Sequence, residues 1–123
     1  MSIARKSLAR TLALLALAPT AFAQQGVKTT VSGWVIDSAC AFTKGLHKPI
    51  SRECATACAK AGSPLVIMRD DGAIFLPVSD QTPATEENSK LMPYAGQHVV
   101  VTGKEYTHPG SHALVIETIS VKK

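Results

Sequence analysis

The sequence predicts a mainly β fold of the α+β class, a small five-stranded barrel with a short helix after the first strand. Five short stretches are rich in β-branched and aromatic residues and are separated by turn signals. One alanine-rich stretch carries the start and stop signals of a helix. Without residues 1–23, the chain of 123 residues keeps 123 − 23 = 100, which suits one modest hydrophobic core.

The first predicted strand runs from Val27 to Asp37. Val27, Val31 and Val35 fall on one face of it, and Trp34 and Ile36 fall on the other. This alternation with a period of two residues is typical of a strand that packs on both sides. The strand therefore opens the barrel.

A helix is predicted directly after this strand and a connecting loop. Ser51 is a suitable N-cap, Glu53 lies in the first turn, Lys60 lies near the end, and Gly62 can terminate the helix. The alanines between these positions favour helix. Two cysteines four residues apart lie on this helix, so their side chains share one face.

The rest of the chain supplies the other strands and a second short helix. A hairpin is predicted from Leu65 to Val78, since Asp70-Asp71-Gly72 is a tight-turn signal between two apolar runs. Pro83 lies in a polar loop, Ser79 to Asn88, before a short helix from Glu86 to Tyr94. The last two strands are Val99 to Thr102 and His112 to Val121.

This order of elements, with a helix after the first strand, predicts a barrel of the OB type in residues 24–123. The segments Leu91 to Gly103 and Leu114 to Ile119 resemble the closing half of OB-like domains in small secreted bacterial proteins. The segment Gly33 to Cys40, followed by the C-x3-C pair and Gly62, resembles the opening half of the same loosely defined group. The resemblance implies a fold and carries no established activity.

The first 23 residues have the pattern of a secretory signal peptide. Three basic residues precede a short apolar run, Thr11 to Ala18, which is followed by Ala21-Phe22-Ala23 as a small-x-small cleavage site. The run is shorter than the roughly 20 residues of a membrane span. We therefore expect a periplasmic or secreted protein, residues 24–123, with no membrane attachment after cleavage.

The charge of the chain changes when this segment is removed. The whole chain has 13 Lys+Arg and 9 Asp+Glu; three basic residues and no acidic ones lie in the segment, which leaves 10 − 9 = +1. Binding to nucleic acid needs a clustered basic face. The near-neutral mature chain predicts no nucleic-acid partner, and the sequence leaves open which protein or small molecule the domain binds.

The side chains with most chemical potential are four soft-metal ligands within residues 40–58: Cys40, His47, Cys54 and Cys58. Their spacing is C-x6-H-x6-C-x3-C, and they include all three cysteines of the chain. Thiolates and imidazole together are ligands of zinc, and thiolates are ligands of Cu(I). The leading hypothesis is a zinc or copper site made of these four residues, with Asp37 either capping the loop or supporting His47.

Two other interpretations remain open. An oxidising compartment favours a disulfide, which would give a stapled binding module without metal. It would join Cys40 to Cys54 or Cys58, or join Cys54 to Cys58, where the geometry within a regular helix is tight. A thiol redox protein is the third hypothesis, although the usual C-x-x-C motif is absent. No nucleophile motif, phosphate loop or paired carboxylates occur, so no catalytic residue is predicted.

Overall fold

The computed structural model describes residues 23–123, so the predicted signal segment lies outside the described residues except for Ala23. Five strands and three short α-helices make up this part of the chain. In chain order they are β1 (Val27–Asp37), α1 (Ser38–Thr43), α2 (Arg52–Lys60), β2 (Leu65–Arg69), β3 (Ile74–Pro77), α3 (Asn88–Leu91), a 3₁₀ turn (Met92–Tyr94), β4 (His98–His108) and β5 (Ser111–Val121).

The strands close into a barrel in the order β1-β2-β3-β5-β4, which confirms the predicted five-stranded OB-like fold. Four of the five pairings are antiparallel, and β3 pairs with β5 in parallel to close the barrel. Helix α1 was not predicted, because six residues with one buried side chain give little helical periodicity. Among residues 23–123, no helix is long and apolar enough to cross a membrane.

The barrel interior holds the main core. Its fully buried side chains come from every strand, and helix α2 covers one opening by placing Ala55 and Ala59 against them. Small residues suit this position because they let the helix backbone approach the barrel closely. The interior side chains include Val31, Val35, Leu65, Ile67, Phe75, Val99, Val101 and Leu114.

A second, smaller core lies on the outside of β1 and β2. Ile36, Val66 and Met68 point outward there and are covered by Ala41 of α1, with Leu46 packed beside them. This explains why β2 is buried on both faces and reads as a continuous apolar run. The outer core fixes α1 against the wall of the barrel, and α1 carries the first cysteine.

Candidate metal centre

Asp37 stands where the first strand turns into the first helix. It forms the last register pair of β1 with β2, opposite Leu65, and the next residue, Ser38, donates its N–H to the Pro64 carbonyl at 2.8 Å. The Asp37 carboxylate accepts from the Cys40 N–H, with its two oxygens at 3.0 and 3.3 Å. Asp37 is thus the N-cap of α1, whereas the sequence interpretation was a cap of the loop after β1.

Cys58 reaches the same place from helix α2. Ser51 caps the start of this helix, as predicted, because its Oγ accepts from the Cys54 N–H at 3.0 Å. After the helix, Gly62 adopts φ +102, a left-handed conformation that favours glycine, and the Ser63 N–H donates to the Cys58 carbonyl at 3.0 Å. The chain then enters β2 beside the end of β1, which brings Cys58 next to Asp37.

Asn88 holds the connection between Cys58 and β2 in place. Its side-chain oxygen accepts from the Leu65 N–H at 2.8 Å, and its side-chain nitrogen donates to the Ser63 carbonyl at 3.0 Å. One amide thus binds both ends of a three-residue backbone segment. Residues far apart in sequence, 63–65 and 88, therefore fix the approach of the α2 end to β1.

The result is a group of three potential ligands. The side-chain ligand atoms of Asp37, Cys40 and Cys58 all lie within 4.8 Å of one another. Within residues 23–123, these three side chains form the cluster that could bind a metal ion. Asp37 is only 2% exposed, while the two cysteines are half-buried. Each of the three cysteines of the chain is free. The arrangement brings a soft-ligand pair and one carboxylate into position for a single ion.

Two of the four predicted ligands, Cys54 and His47, lie outside this group. Cys54 is one turn before Cys58, half-buried and close enough to raise the pKa of the Cys58 thiol, but it is outside the convergent group. His47 is exposed, and its ring lies over Gly72, where an added Cβ would be 3.3 Å from His47 Cε1. Gly72 follows β2 at the end away from Leu65, so the structure does not bring His47 to the other ligands.

Asp37 and desolvation together raise the pKa of both thiols of the group. The pKa of Cys40 rises from 9.0 to about 11, first because the thiol hydrogen-bonds the Asp37 carboxylate and then because the thiol is desolvated. Desolvation, followed by the charge of Asp37, also raises the pKa of Cys58. Both shifts favour the protonated thiol, and since the thiolate is the nucleophile, they disfavour the thiol redox interpretation.

Asp37 was not among the ligands predicted from the sequence. Asp37 was interpreted as a cap or as a partner of His47, and capping residues are common before helices. The available signal was its spacing: a residue at the N-cap and one three positions later both point toward the first turn of a helix. Cys40 stands in that position relative to Asp37.

Comparison of the chain with protein-family models, with curated proteins and with solved structures finds no match. The protein is thus a small OB-like barrel with an Asp/Cys/Cys group at the end of its first strand.

Proposed function

We propose that this protein binds a soft transition metal ion, zinc or copper, at the Cys40–Cys58 pair. The observation that carries the proposal is the convergence of these two thiols and the Asp37 carboxylate to within 4.8 Å of one another. Two thiols brought from separate helices to one point suit a soft cation. Metal binding replaces the two thiol protons, so affinity rises with pH.

We also propose that the protein acts outside the cytoplasm, in the periplasm or as a secreted protein. Support comes from the signal-peptide pattern of residues 1–23. In that setting a metal ion held by two thiolates has a second effect, because coordinated thiolates are withheld from oxidation to a disulfide. The bound ion then both occupies the site and keeps its ligands reduced.

The test is a metal-binding measurement on the chain 24–123 under reducing conditions. Denaturing and native mass spectra give the covalent mass and the number of metal ions retained after incubation with Zn²⁺ or with Cu(I). We expect one ion per chain for the wild type and none for Cys40→Ser or Cys58→Ser. His47→Ala serves as the matched control, because His47 is exposed and lies away from the group.

Two results would contradict the proposal. One is a wild-type protein that retains neither ion. The other is a covalent mass lower by the two hydrogens of a disulfide in protein purified without reductant, together with full stability in a chelator. The second result would favour the stapled module without metal.

A further inference from the structure

From the charge and burial around the two thiols, we infer that the site is a zinc site in which Asp37 is a third ligand and the fourth position is open to a ligand from solvent. This inference rests on the proposed function, since it assumes that an ion binds between Cys40 and Cys58. It goes further by naming the ion, a new ligand and the kind of molecule that completes the coordination.

The net charge of the occupied site favours Zn²⁺ over Cu(I). With both thiols deprotonated and Asp37 ionised, Cu(I) gives a local charge of +1 − 2 − 1 = −2, whereas Zn²⁺ gives +2 − 2 − 1 = −1, counting the three side chains of the group. Asp37 is 2% exposed, so water screens this excess charge poorly. Uncompensated charge is costly to bury, which favours the divalent ion.

The mixture of oxygen and sulfur ligand atoms also favours zinc. Zinc accepts carboxylate oxygen together with thiolate sulfur, whereas Cu(I) is selected by soft sulfur ligands and gains little from a carboxylate. Asp37 has the Cys40 N–H, at 3.0 Å, as its backbone hydrogen-bond partner among the described residues. Direct coordination to Zn²⁺ satisfies the buried carboxylate, and Cu(I) leaves it without that compensation.

The group supplies three protein ligands, one fewer than a tetrahedral zinc ion needs. Among residues 23–123, no fourth His, Cys, Asp or Glu joins Asp37, Cys40 and Cys58 within the 4.8 Å group. Zinc is usually tetrahedral, and sites with three protein ligands hold water or an exchangeable molecule in the fourth position. We therefore assign that position to water, replaced by a small anion or thiolate when one is present, and not to Cys54.

The experiment compares Zn²⁺ and Cu(I) affinities, each measured by competition with a chromophoric chelator, for the wild type and Asp37→Asn. Asparagine still accepts at the N-cap, so α1 keeps its start. We expect Zn²⁺ affinity to fall by more than ~100-fold, beyond the 10–100-fold typical of an outer-shell partner, and Cu(I) affinity to stay the same or rise, because the variant removes a negative charge beside the ion. Asp37→Ser, also a good cap, replaces the variant if Asp37→Asn fails to fold.

The outcomes separate this inference from the proposed function. Equal losses for both ions, or a Zn²⁺ loss below ~100-fold, would remove Asp37 from the ligand set while metal binding at the thiols stands. Failure of the wild type to bind either ion would reject the proposed function itself.

The open position has its own test. We expect Cys54→Ser to keep Zn²⁺ affinity, and azide to change the visible spectrum of the Co²⁺-substituted wild type. Two results would show that a side chain of the protein fills the fourth position. One is a loss of Zn²⁺ affinity in Cys54→Ser as large as that in Cys40→Ser, and the other is a spectrum that azide does not change.

Discussion

At the residue scale, Asp37 has two roles that use the same carboxylate. It caps α1 through the Cys40 N–H, and it lies against the thiols of Cys40 and Cys58. A buried carboxylate beside a thiol favours the protonated thiol, which is why the pKa of Cys40 rises to about 11. The same carboxylate favours a cation in place of those protons. Asp37 thus links the start of the helix to the chemistry of the group.

The first prediction concerns the reactivity of Cys40 in metal-free protein. In a Cys54→Ser/Cys58→Ser background, where Cys40 is the remaining thiol, the rate of alkylation by iodoacetamide should keep rising until pH approaches about 11. Adding Asp37→Asn should move the curve toward the usual cysteine pKa and speed alkylation at pH 8. A curve that levels near pH 8.5 with Asp37 present would contradict the role given to this carboxylate.

The same shift has a consequence for stability, with a sign that follows from the proton. Because the folded state raises the pKa of Cys40, it holds the thiol proton more tightly than the unfolded chain does. The stabilising contribution is complete below pH 9.0 and is lost as pH rises through about 11. Below pH 9.0 the contribution stays constant, so acid does not change it.

At the element scale, the site depends on a connection that joins helix α2 to strand β2. The cysteine-bearing helix could be predicted because its cap, its alanines and Gly62 are local signals. The position of its end could not, since it depends on Asn88, a residue 23 to 25 positions away from its two partners. Asn88 was expected in a loop at the start of a helix, where asparagine has many ordinary uses.

The second prediction tests this connection. Asn88→Ala removes two partly buried hydrogen bonds and should lower the free energy of unfolding by roughly 1–3 kcal/mol. Metal affinity should fall as well, because the segment that places Cys58 loosens. Asn88→Asp is the matched control, because it keeps the acceptor for Leu65 and loses the donor to Ser63. Its free energy of unfolding should lie between those of the wild type and Asn88→Ala. An unchanged free energy of unfolding for Asn88→Ala in denaturant would contradict the role of Asn88 in holding this connection.

At the scale of the whole molecule, α2 packs on the core of the closed barrel and α1 packs on the second core outside it, which brings Cys40 and Cys58 together. Alternation in β1 predicted its two faces, with Val31 and Val35 in the interior and Ile36 in the outer core, whereas Val27 at the start of the strand is 67% exposed. The loop after β1 was expected to carry His47 to the cysteines. Instead α1 packs on the outer core through Ala41, Leu46 follows it there, and His47 continues to Gly72. Tertiary packing of apolar side chains decided the path of this loop, and local sequence holds little information about it.

The third prediction concerns the closure of the barrel. Leu114 of β5 is fully buried beside the parallel seam with β3, where its carbonyl accepts from the Val78 N–H at 3.0 Å. Leu114→Ala should lower the free energy of unfolding by about 2–5 kcal/mol, a large part of the roughly 5–15 kcal/mol of a small domain. Leu76→Ala on neighbouring β3 is the control, because Leu76 is 39% exposed and should cost far less. Equal costs in thermal or denaturant unfolding would contradict the closed barrel.

The central claim is that Asp37, Cys40 and Cys58 bind one metal ion between strand β1 and helix α2. X-ray absorption of the zinc-loaded protein tests it most directly, because the distances identify the ligand atoms. We expect two sulfurs at about 2.3 Å and oxygen ligands at about 2.0–2.2 Å, with no imidazole scattering. A zinc shell without sulfur, or one with the scattering pattern of histidine, would contradict the claim.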